Sequence, residues 1–145
     1  RGVFLFGRSI GGAVALHVVE KYQSQVSGVI VENTFTSIND MIDKVVPVLK
    51  FFKALNRNPW NTIDVVPRLT VPILFITGMR DELVPPAHSA ALHKAATKSS
   101  LVRKAEFPTG GHNDTWVRGG REYYETVKSF VGEVQKWGKG RRLAD

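Results

Sequence analysis

The feature of the sequence that most constrains the fold is a glycine-flanked turn between two apolar segments. An apolar run at residues 3–6 ends at Gly7, and a mostly apolar helical pattern follows Gly11-Gly12. A short continuous apolar run is typical of a strand buried on both faces, as in a parallel sheet. Glycines on both sides allow the backbone to turn sharply and the helix to pack close behind the strand. The segment therefore predicts a buried strand, a tight turn and a buried helix.

The same pattern recurs along the chain. Further apolar runs that predict strands occupy residues 28–31, 71–76 and 102–107. Pro85-Pro86 predicts the start of a helix after the third strand, because proline is favoured in the first helical turn. Apolar residues at three- and four-residue steps predict an amphipathic helix over residues 122–137, which Gly138 ends. Strands that alternate with helices predict an α/β fold with a parallel sheet.

Residues 38–67 interrupt this alternation and are predicted to form a helical insertion over the carboxyl edge of the sheet. Its apolar residues include Leu49, Phe51, Phe52 and Trp60. Side chains of this kind most often form ordinary core or lid packing. A lid of this composition would also favour an apolar acyl or alkyl group, and Lys50, Lys53 and Arg57 would then face an anionic headgroup or membrane surface.

The composition excludes several classes of protein and of chemistry. With 145 residues, of which 43% are hydrophobic, the chain makes up one globular domain at most and is not a disordered chain. It has no cysteine, so disulfides, thiol catalysis and cysteinyl metal sites are excluded. Any nucleophile is therefore a hydroxyl, a carboxylate or an amine. No apolar run in the sequence is long enough to span a bilayer.

The net charge of +7 is only a weak indication of partners. Basic residues are spread along the sequence and cluster only at Lys136, Lys139, Arg141 and Arg142. Such a cluster is usually a solvated end, so residues 138–145 are predicted to form a basic flexible tail. Nucleic-acid binding would rest on net charge alone, and we expect no nucleic-acid partner.

Ser9 lies at the centre of the first turn, which matches the pattern G-x-S-x-G. Between a strand and a helix, this turn pushes the serine hydroxyl clear of the sheet. The backbone amide of Ile10 would then point at a developing oxyanion, helped by the positive end of the helix. The competing interpretation is a glycine-rich turn with a capping serine. The strand and helix on either side favour a nucleophile.

A serine hydroxyl becomes a nucleophile when a histidine that is oriented by a carboxylate takes its proton. Asp81 follows the third predicted strand, and His112 follows the fourth. Both therefore belong to the carboxyl edge that carries Ser9, where open α/β sheets place their sites. Their order along the chain, nucleophile, acid and base, is the order that accompanies this kind of turn.

Other histidines and carboxylates are weaker candidates. The remaining histidines, all on predicted helices rather than at strand ends, are His17, His88 and His93. Glu32 ends the second strand and is the serious rival of Asp81, whereas Glu82 and Asp64 are less well placed. Asp114, two residues after His112, is predicted to hold its loop by local hydrogen bonds.

Four motifs together resemble the α/β-hydrolase superfamily, in particular the branch with α/β-hydrolase domain-containing protein thirteen and the fungal bud-emergence hydrolases. They occupy residues 7–12, 31–35, 76–86 and 112–116. The resemblance extends to about Phe130, and the last two motifs are much more specific than the first. It implies that residues 1–137 are the C-terminal portion of one α/β-hydrolase domain, with strands of a mainly parallel sheet, flanking helices and the small insertion at 38–67.

The resemblance also implies an activity and the residues that perform it. Position by position, Ser9 is the nucleophile, Asp81 the acid, His112 the base, and the Ile10 amide one oxyanion donor. The implied reaction is hydrolysis of a carboxylic ester or thioester, in a small-molecule or acylated substrate, through an acyl-serine intermediate. No metal or organic cofactor is implied.

Family members have strands and a loop upstream of the Ser9 turn, and that loop supplies a second oxyanion amide. We therefore expect the sequence to begin within the domain and the natural protein to be longer. The strand at residues 3–6 would then have an unpaired apolar edge. Many members carry a hydrophobic N-terminal anchor, so we expect an intracellular protein that an upstream segment attaches to a membrane.

Two alternatives remain open at this point. Peptidases of the prolyl-oligopeptidase type share the same order of triad residues, and a comparison of amide with ester turnover separates them from esterases. A hydrolase-like binding module would keep the Ser9 turn as architecture without catalysis. The complete set of Ser9, Asp81 and His112 favours an enzyme.

Overall fold

A four-stranded parallel sheet organises the protein. The computed structural model describes residues 2–44 and 60–142. The strands are β1 (Phe4–Arg8), β2 (Gly28–Glu32), β3 (Ile73–Gly78) and β4 (Val102–Phe107), paired in that order. Because every pairing is parallel, the carboxyl ends of all four strands lie at one edge of the sheet. The predicted α/β fold with a parallel sheet is confirmed.

Helices cover both faces of the sheet. They are α1 (Ile10–Lys21), α2 (Ile38–Lys44), α3 (Thr62–Val65), α4 (Pro86–Ala95) and α5 (Thr115–Arg142). Leu16 of α1, Val65 of α3 and Leu92 of α4 share one apolar core with alternate residues of β2 and β3. Phe130 and Val134 of α5 belong to the core on the opposite face. Every residue of β2 and β3 is buried, as expected of parallel strands packed on both sides.

The last helix consists of two helical segments that meet at Gly120, and the second of them runs beyond its predicted end. α5 begins at Thr115, bends at Gly120, where the backbone has φ 49°, and continues past Gly138 to Arg142. The predicted helix end at Gly138 was therefore wrong, and residues 138–142 of the predicted basic flexible tail continue the helix. Glycine ends a helix when it adopts a left-handed conformation. Among the described glycines, that conformation occurs at Gly120.

The predicted insertion at residues 38–67 is helical at both of its described ends, in α2 and in α3. Its central part lies outside the described residues, and so do Leu49, Lys50, Phe51, Phe52, Lys53 and Arg57. None of the described helices combines the length and the apolar composition needed to cross a bilayer. At the outer edge of β1, 54% of Phe6 is exposed, which agrees with the unpaired apolar edge expected from the sequence.

Candidate active site

Ser9 occupies a strained turn at the carboxyl edge of the sheet. β1 ends at Arg8 and α1 begins at Ile10, which leaves Ser9 between them with φ 55° and ψ −125°. A non-glycine residue in such a region costs about 1–3 kcal/mol, and the surrounding structure has to impose it. The N–H of Ser9 donates to the Glu32 carbonyl at 2.9 Å, and the Thr34 hydroxyl donates to the Ser9 carbonyl at 2.8 Å. The turn is thus held from both sides.

The glycines around Ser9 are required by close backbone approach. A Cβ atom at Gly7 would collide with the carbonyl oxygen of Gly11. At Gly12, a Cβ would lie 2.7 Å from the side chain of Thr34. The sharp turn that the sequence predicts is therefore built as expected, with α1 packed directly behind β1. Ile10 is the first residue of α1, so its N–H has no intrahelical carbonyl partner.

Asp81 and His112 form a hydrogen-bonded pair. His112 Nδ1 lies 2.7 Å from Asp81 Oδ2, and the Asp81 side chain is fully buried while 13% of His112 is exposed. The other oxygen, Asp81 Oδ1, accepts the N–H groups of Leu83 at 2.9 Å and of Val84 at 2.8 Å. A carboxylate that only accepts makes Nδ1 the protonated nitrogen of the neutral imidazole. The Nε2 atom is then available to accept a proton.

The three predicted residues share one edge of the sheet, and two of them are in contact. Ser9, Asp81 and His112 follow β1, β3 and β4 respectively, at their carboxyl ends. The structure joins Asp81 to His112, but among the described residues no hydrogen bond joins the Ser9 hydroxyl to the imidazole. Such contacts are often long in a site without substrate.

The other histidines are occupied elsewhere. His17 Nδ1 lies 2.8 Å from the Ala13 carbonyl, and its ring packs edge-on against Trp60 at 5.0 Å. The Nδ1 atom of His88 lies 2.9 Å from the Thr36 hydroxyl. The His93 ring packs edge-on against a core phenylalanine. None of these contacts involves Asp81.

The side chain of Glu32, the alternative to Asp81, is hydrogen-bonded to Tyr123. Only 1% of Glu32 is exposed, and its Oε2 accepts a hydrogen bond from the Tyr123 hydroxyl at 2.6 Å. Among the described residues, Oε1 has no hydrogen-bond partner. Burial raises the pKa of Glu32 above its usual range, and burial together with Glu32 raises the pKa of Tyr123. A carboxyl group whose charged form is disfavoured by burial is a poor partner for an imidazolium.

The raised pKa of Glu32 makes stability depend on pH. Because the folded state binds the proton more tightly than the unfolded state, the free energy of unfolding falls as pH rises from about 4.5 toward the folded pKa. In Glu32→Gln this contribution is absent, so the free energy of unfolding of the variant should rise relative to that of the wild type across that range, by about 1.4 kcal/mol for each pH unit. Urea unfolding at several pH values checks this. Parallel stability curves for the two proteins would contradict it.

Asp114 holds the loop that carries His112. Its Oδ1 accepts the Gly111 N–H at 2.7 Å, and its Oδ2 binds Arg118 at 2.9 Å. The Gly111 N–H, and after it the Arg118 side chain, lower the pKa of Asp114. The local structural role predicted for this residue is confirmed.

The residue that the sequence interpretation missed is Asn33. It follows β2 with φ 48°, and its side chain reaches the ends of β3 and of the His112 loop. The signal that the sequence offered for Asn33 was a polar residue directly after a buried strand. Within the described part of the chain, no group of three or more His, Cys, Asp or Glu side chains is arranged to hold a metal ion.

Comparison with known proteins gives a consistent group of relatives. A family model described as serine aminopeptidase, S33, matches residues 1–67. The alpha/beta hydrolase domain-containing protein WAV2 of Arabidopsis thaliana is 40% identical, and the match covers 99% of this chain and 50% of that protein. An uncharacterized membrane protein of Saccharomyces cerevisiae is 39% identical, covering 92% of this chain and 46% of that protein. Protein bem46 of Schizosaccharomyces pombe is 35% identical, covering 90% and 44%.

Solved structures with a similar backbone include a peptidase and a lipase. An acylaminoacyl peptidase of Pyrococcus horikoshii has a TM-score of 0.73 at 19% identity, over 92% of this chain and 24% of that chain. A monoacylglycerol lipase of Paleococcus ferrophilus has a TM-score of 0.65 at 16% identity, over 91% of this chain and 69% of that chain. At these identities the likeness shows the fold. The chain spans about half the length of the curated relatives that it matches.

Proposed function

The chain belongs to the α/β-hydrolase superfamily, and on that basis we propose that it carries the catalytic triad of a serine hydrolase that cleaves carboxylic esters or thioesters. Ser9 is the nucleophile, His112 the general base and Asp81 the acid. The observation that carries the proposal is the 2.7 Å bond between His112 Nδ1 and the buried Asp81, at the edge where Ser9 occupies its strained turn.

In the proposed reaction, His112 Nε2 takes the proton of Ser9 as Oγ attacks the substrate carbonyl carbon. Asp81 stabilises the imidazolium that forms. The tetrahedral intermediate collapses to acyl-Ser9 and expels the alcohol or thiol, which receives the proton from His112. Water then attacks the acyl group with His112 again as base, the bond between the acyl carbon and Ser9 Oγ breaks as His112 returns the proton to Oγ, and the carboxylic acid leaves.

The oxyanion of each tetrahedral intermediate would accept a hydrogen bond from the Ile10 N–H. This group lies at the positive end of α1, directly after the nucleophile. We propose that a second donor comes from outside the described residues. One such donor is worth on the order of 10²–10³ in rate, so activity is to be measured in the full-length protein. By this we mean the chain with any residues that its gene adds at either end.

We propose an ester or thioester with an apolar acyl group as the substrate class, because the sequence of the insertion is rich in apolar residues. Ala13 on α1 packs with Phe35 and Val84 in a small apolar cluster, and Trp60 contacts it from the insertion. A lipase and a phospholipase are among the structural neighbours. The yeast relative named as a membrane protein supports a proposal of membrane association for the full-length protein.

A serine peptidase is the second candidate. The matching family model is described as a serine aminopeptidase, and an acylaminoacyl peptidase is among the structural neighbours. The two activities differ in the leaving group that His112 protonates. A matched pair of substrates, a p-nitrophenyl ester and a p-nitroanilide of the same acyl group, separates them. We expect turnover of the ester and no measurable turnover of the anilide, and enzymatic turnover of the anilide would favour the peptidase.

The acyl-serine intermediate can be trapped directly. We expect acid quenching of the full-length protein during turnover of an acyl thioester to leave the acyl mass on the peptide that contains Ser9. Mass spectrometry of the digested protein checks this. Quenched protein with no acyl group, or with the acyl group on another peptide, would contradict the mechanism.

A preference for long acyl chains is expected if the insertion supplies the acyl site. An octanoyl thioester should then have a kcat/KM at least about tenfold above that of the acetyl thioester, because burial of only two of its six additional methylenes, at about 0.8 kcal/mol each, already supplies that factor. Steady-state kinetics over a series of chain lengths measures this. Equal rates for acetyl and long-chain substrates would remove the apolar acyl site from the proposal.

A further inference from the structure

Residues 32–34, at the end of β2 and directly after it, contact both Ser9 and the loop that carries His112. Glu32 and Thr34 hold the main chain of Ser9 from opposite sides. The Glu32 carbonyl accepts the Ser9 N–H at 2.9 Å, and the Thr34 hydroxyl donates to the Ser9 carbonyl at 2.8 Å. Asn33 lies between these two residues in the chain.

The Asn33 side chain extends to the loop of His112. Its Nδ2, which carries two hydrogens, lies within hydrogen-bond distance of three acceptors, the carbonyl oxygens of Gly111 at 3.1 Å and of His112 at 3.2 Å and Thr115 Oγ1 at 3.0 Å. Its Oδ1 accepts the N–H of Gly78, at the end of β3, at 2.8 Å. Asn33 is 2% exposed, so these bonds are shielded from water. Both the oxygen and the nitrogen of the Asn33 side-chain amide are therefore hydrogen-bonded.

The His112 loop has a second set of attachments, but they lead to Asp81 rather than to Ser9. The Arg80 N–H donates to the Gly110 carbonyl at 2.8 Å, next to Asp81 in sequence, and His112 itself binds Asp81. A contact between Arg8 and the Asn113 carbonyl reaches the loop from the Ser9 side, but it is exposed and 3.4 Å long. Among the hydrogen bonds of residues 2–44 and 60–142, the buried connection between the Ser9 turn and the His112 loop is thus the one through Asn33.

We propose that residues 32–34 form a bridge that sets the position of His112 relative to Ser9, with Asn33 as its positioning residue. This inference rests on the proposed function. The backbone of Asn33 has φ 48°, a conformation that asparagine and glycine tolerate better than other residues, and it places the amide between the two loops. Loss of the amide should leave His112 paired with Asp81 but misplaced for the Ser9 proton.

The test uses Asn33→Gly, which keeps the left-handed backbone and removes the amide. The probe is a fluorophosphonate, which reports attack by Ser9 without a known substrate. We expect the limiting labelling rate of the full-length protein to fall by about 10²-fold, the effect of a displacement of about 1 Å, with little change in the half-saturating probe concentration. We expect the downfield proton NMR signal of the His112–Asp81 hydrogen bond to remain.

Two further variants distinguish a positioning role of residues 32–34 from a general loss of stability. Leu92→Ala removes a buried side chain of α4 from an apolar core cluster that contains no residue of either loop, and it should lower stability while its labelling rate stays that of the wild type. Thr34→Val removes the hydroxyl that holds Ser9 and keeps the side-chain volume. Because Asn33 and Thr34 act as one unit in the bridge, the double variant should lose much less rate than the product of the two single losses.

The outcomes are distinguishable. Three results would overturn the bridge and leave the proposed function intact. The Asn33→Gly protein could label at the wild-type rate, or it could lose the NMR signal of the His112–Asp81 hydrogen bond. The labelling rate of the double variant with Thr34→Val could also fall by the full product of the two single losses. If the wild-type protein takes no label at Ser9, the proposed function fails, and the bridge fails with it.

Discussion

Asp81→Asn is expected to lower kcat by on the order of 10⁴ while the protein remains folded. The oxygen of the new amide can still accept the N–H groups of Leu83 and Val84, which Asp81 Oδ1 accepts in the wild type. The amide nitrogen then faces His112 Nδ1 with a donor where the carboxylate had an acceptor. The imidazole adopts the opposite tautomer, its Nε2 carries the proton, and it no longer serves as a base for Ser9.

Steady-state kinetics of the full-length protein with a p-nitrophenyl ester measures this loss. Asp64→Asn is the matched control, because it removes an exposed carboxylate on α3 and should leave kcat unchanged. A loss of less than tenfold in Asp81→Asn, with both variants equally folded by circular dichroism, would show that Asp81 does not orient the base.

Gly7→Ala is expected to have the largest effect on stability. The new methyl group would overlap the carbonyl oxygen of Gly11, and the neighbouring Gly12 backbone lies 2.7 Å from the same position. These are main-chain atoms, so no side-chain rotation relieves the overlap. We expect a loss of about 3 kcal/mol or more, against a total stability of about 5–15 kcal/mol for an ordinary domain.

Denaturant unfolding of the full-length protein compares Gly7→Ala with Gly132→Ala. Gly132 lies within α5, where a Cβ would meet no atom within 4 Å. The same chemical change there should stabilise the helix by up to about 1 kcal/mol. Equal unfolding midpoints for the wild type and Gly7→Ala would mean that the turn around Ser9 is not packed as described.

The sequence predicts the sheet well because its strands are buried on both faces. The apolar runs at 28–31 and 71–76 correspond to β2 (Gly28–Glu32) and β3 (Ile73–Gly78), all of whose residues are buried. The position of Asp81 at the edge that carries Ser9 could be predicted because a parallel sheet brings strand ends to one edge, whatever lies between them in the chain. The extent of α5 could not be predicted, since a glycine ends a helix only when its backbone turns left-handed, and Gly138 does not.

The connection through Asn33 could not be predicted from the sequence for a different reason. It joins residues 78 and 79 positions apart, Asn33 to Gly111 and to His112, and it depends on a left-handed backbone that the sequence does not display. The burial of Glu32 against Tyr123 is likewise a tertiary contact, with 91 positions between the two residues. Pattern and spacing identify residues at strand ends, whereas packing decides which of them pair.

The most direct test of the proposed triad is the site of covalent labelling. The full-length protein and its Ser9→Ala variant are treated with a fluorophosphonate, digested and mapped by mass spectrometry. We expect one adduct, on Ser9, in the wild type and none in the variant. An adduct on another residue, or equal labelling of Ser9→Ala, would contradict the assignment of Ser9 as the nucleophile that His112 and Asp81 activate.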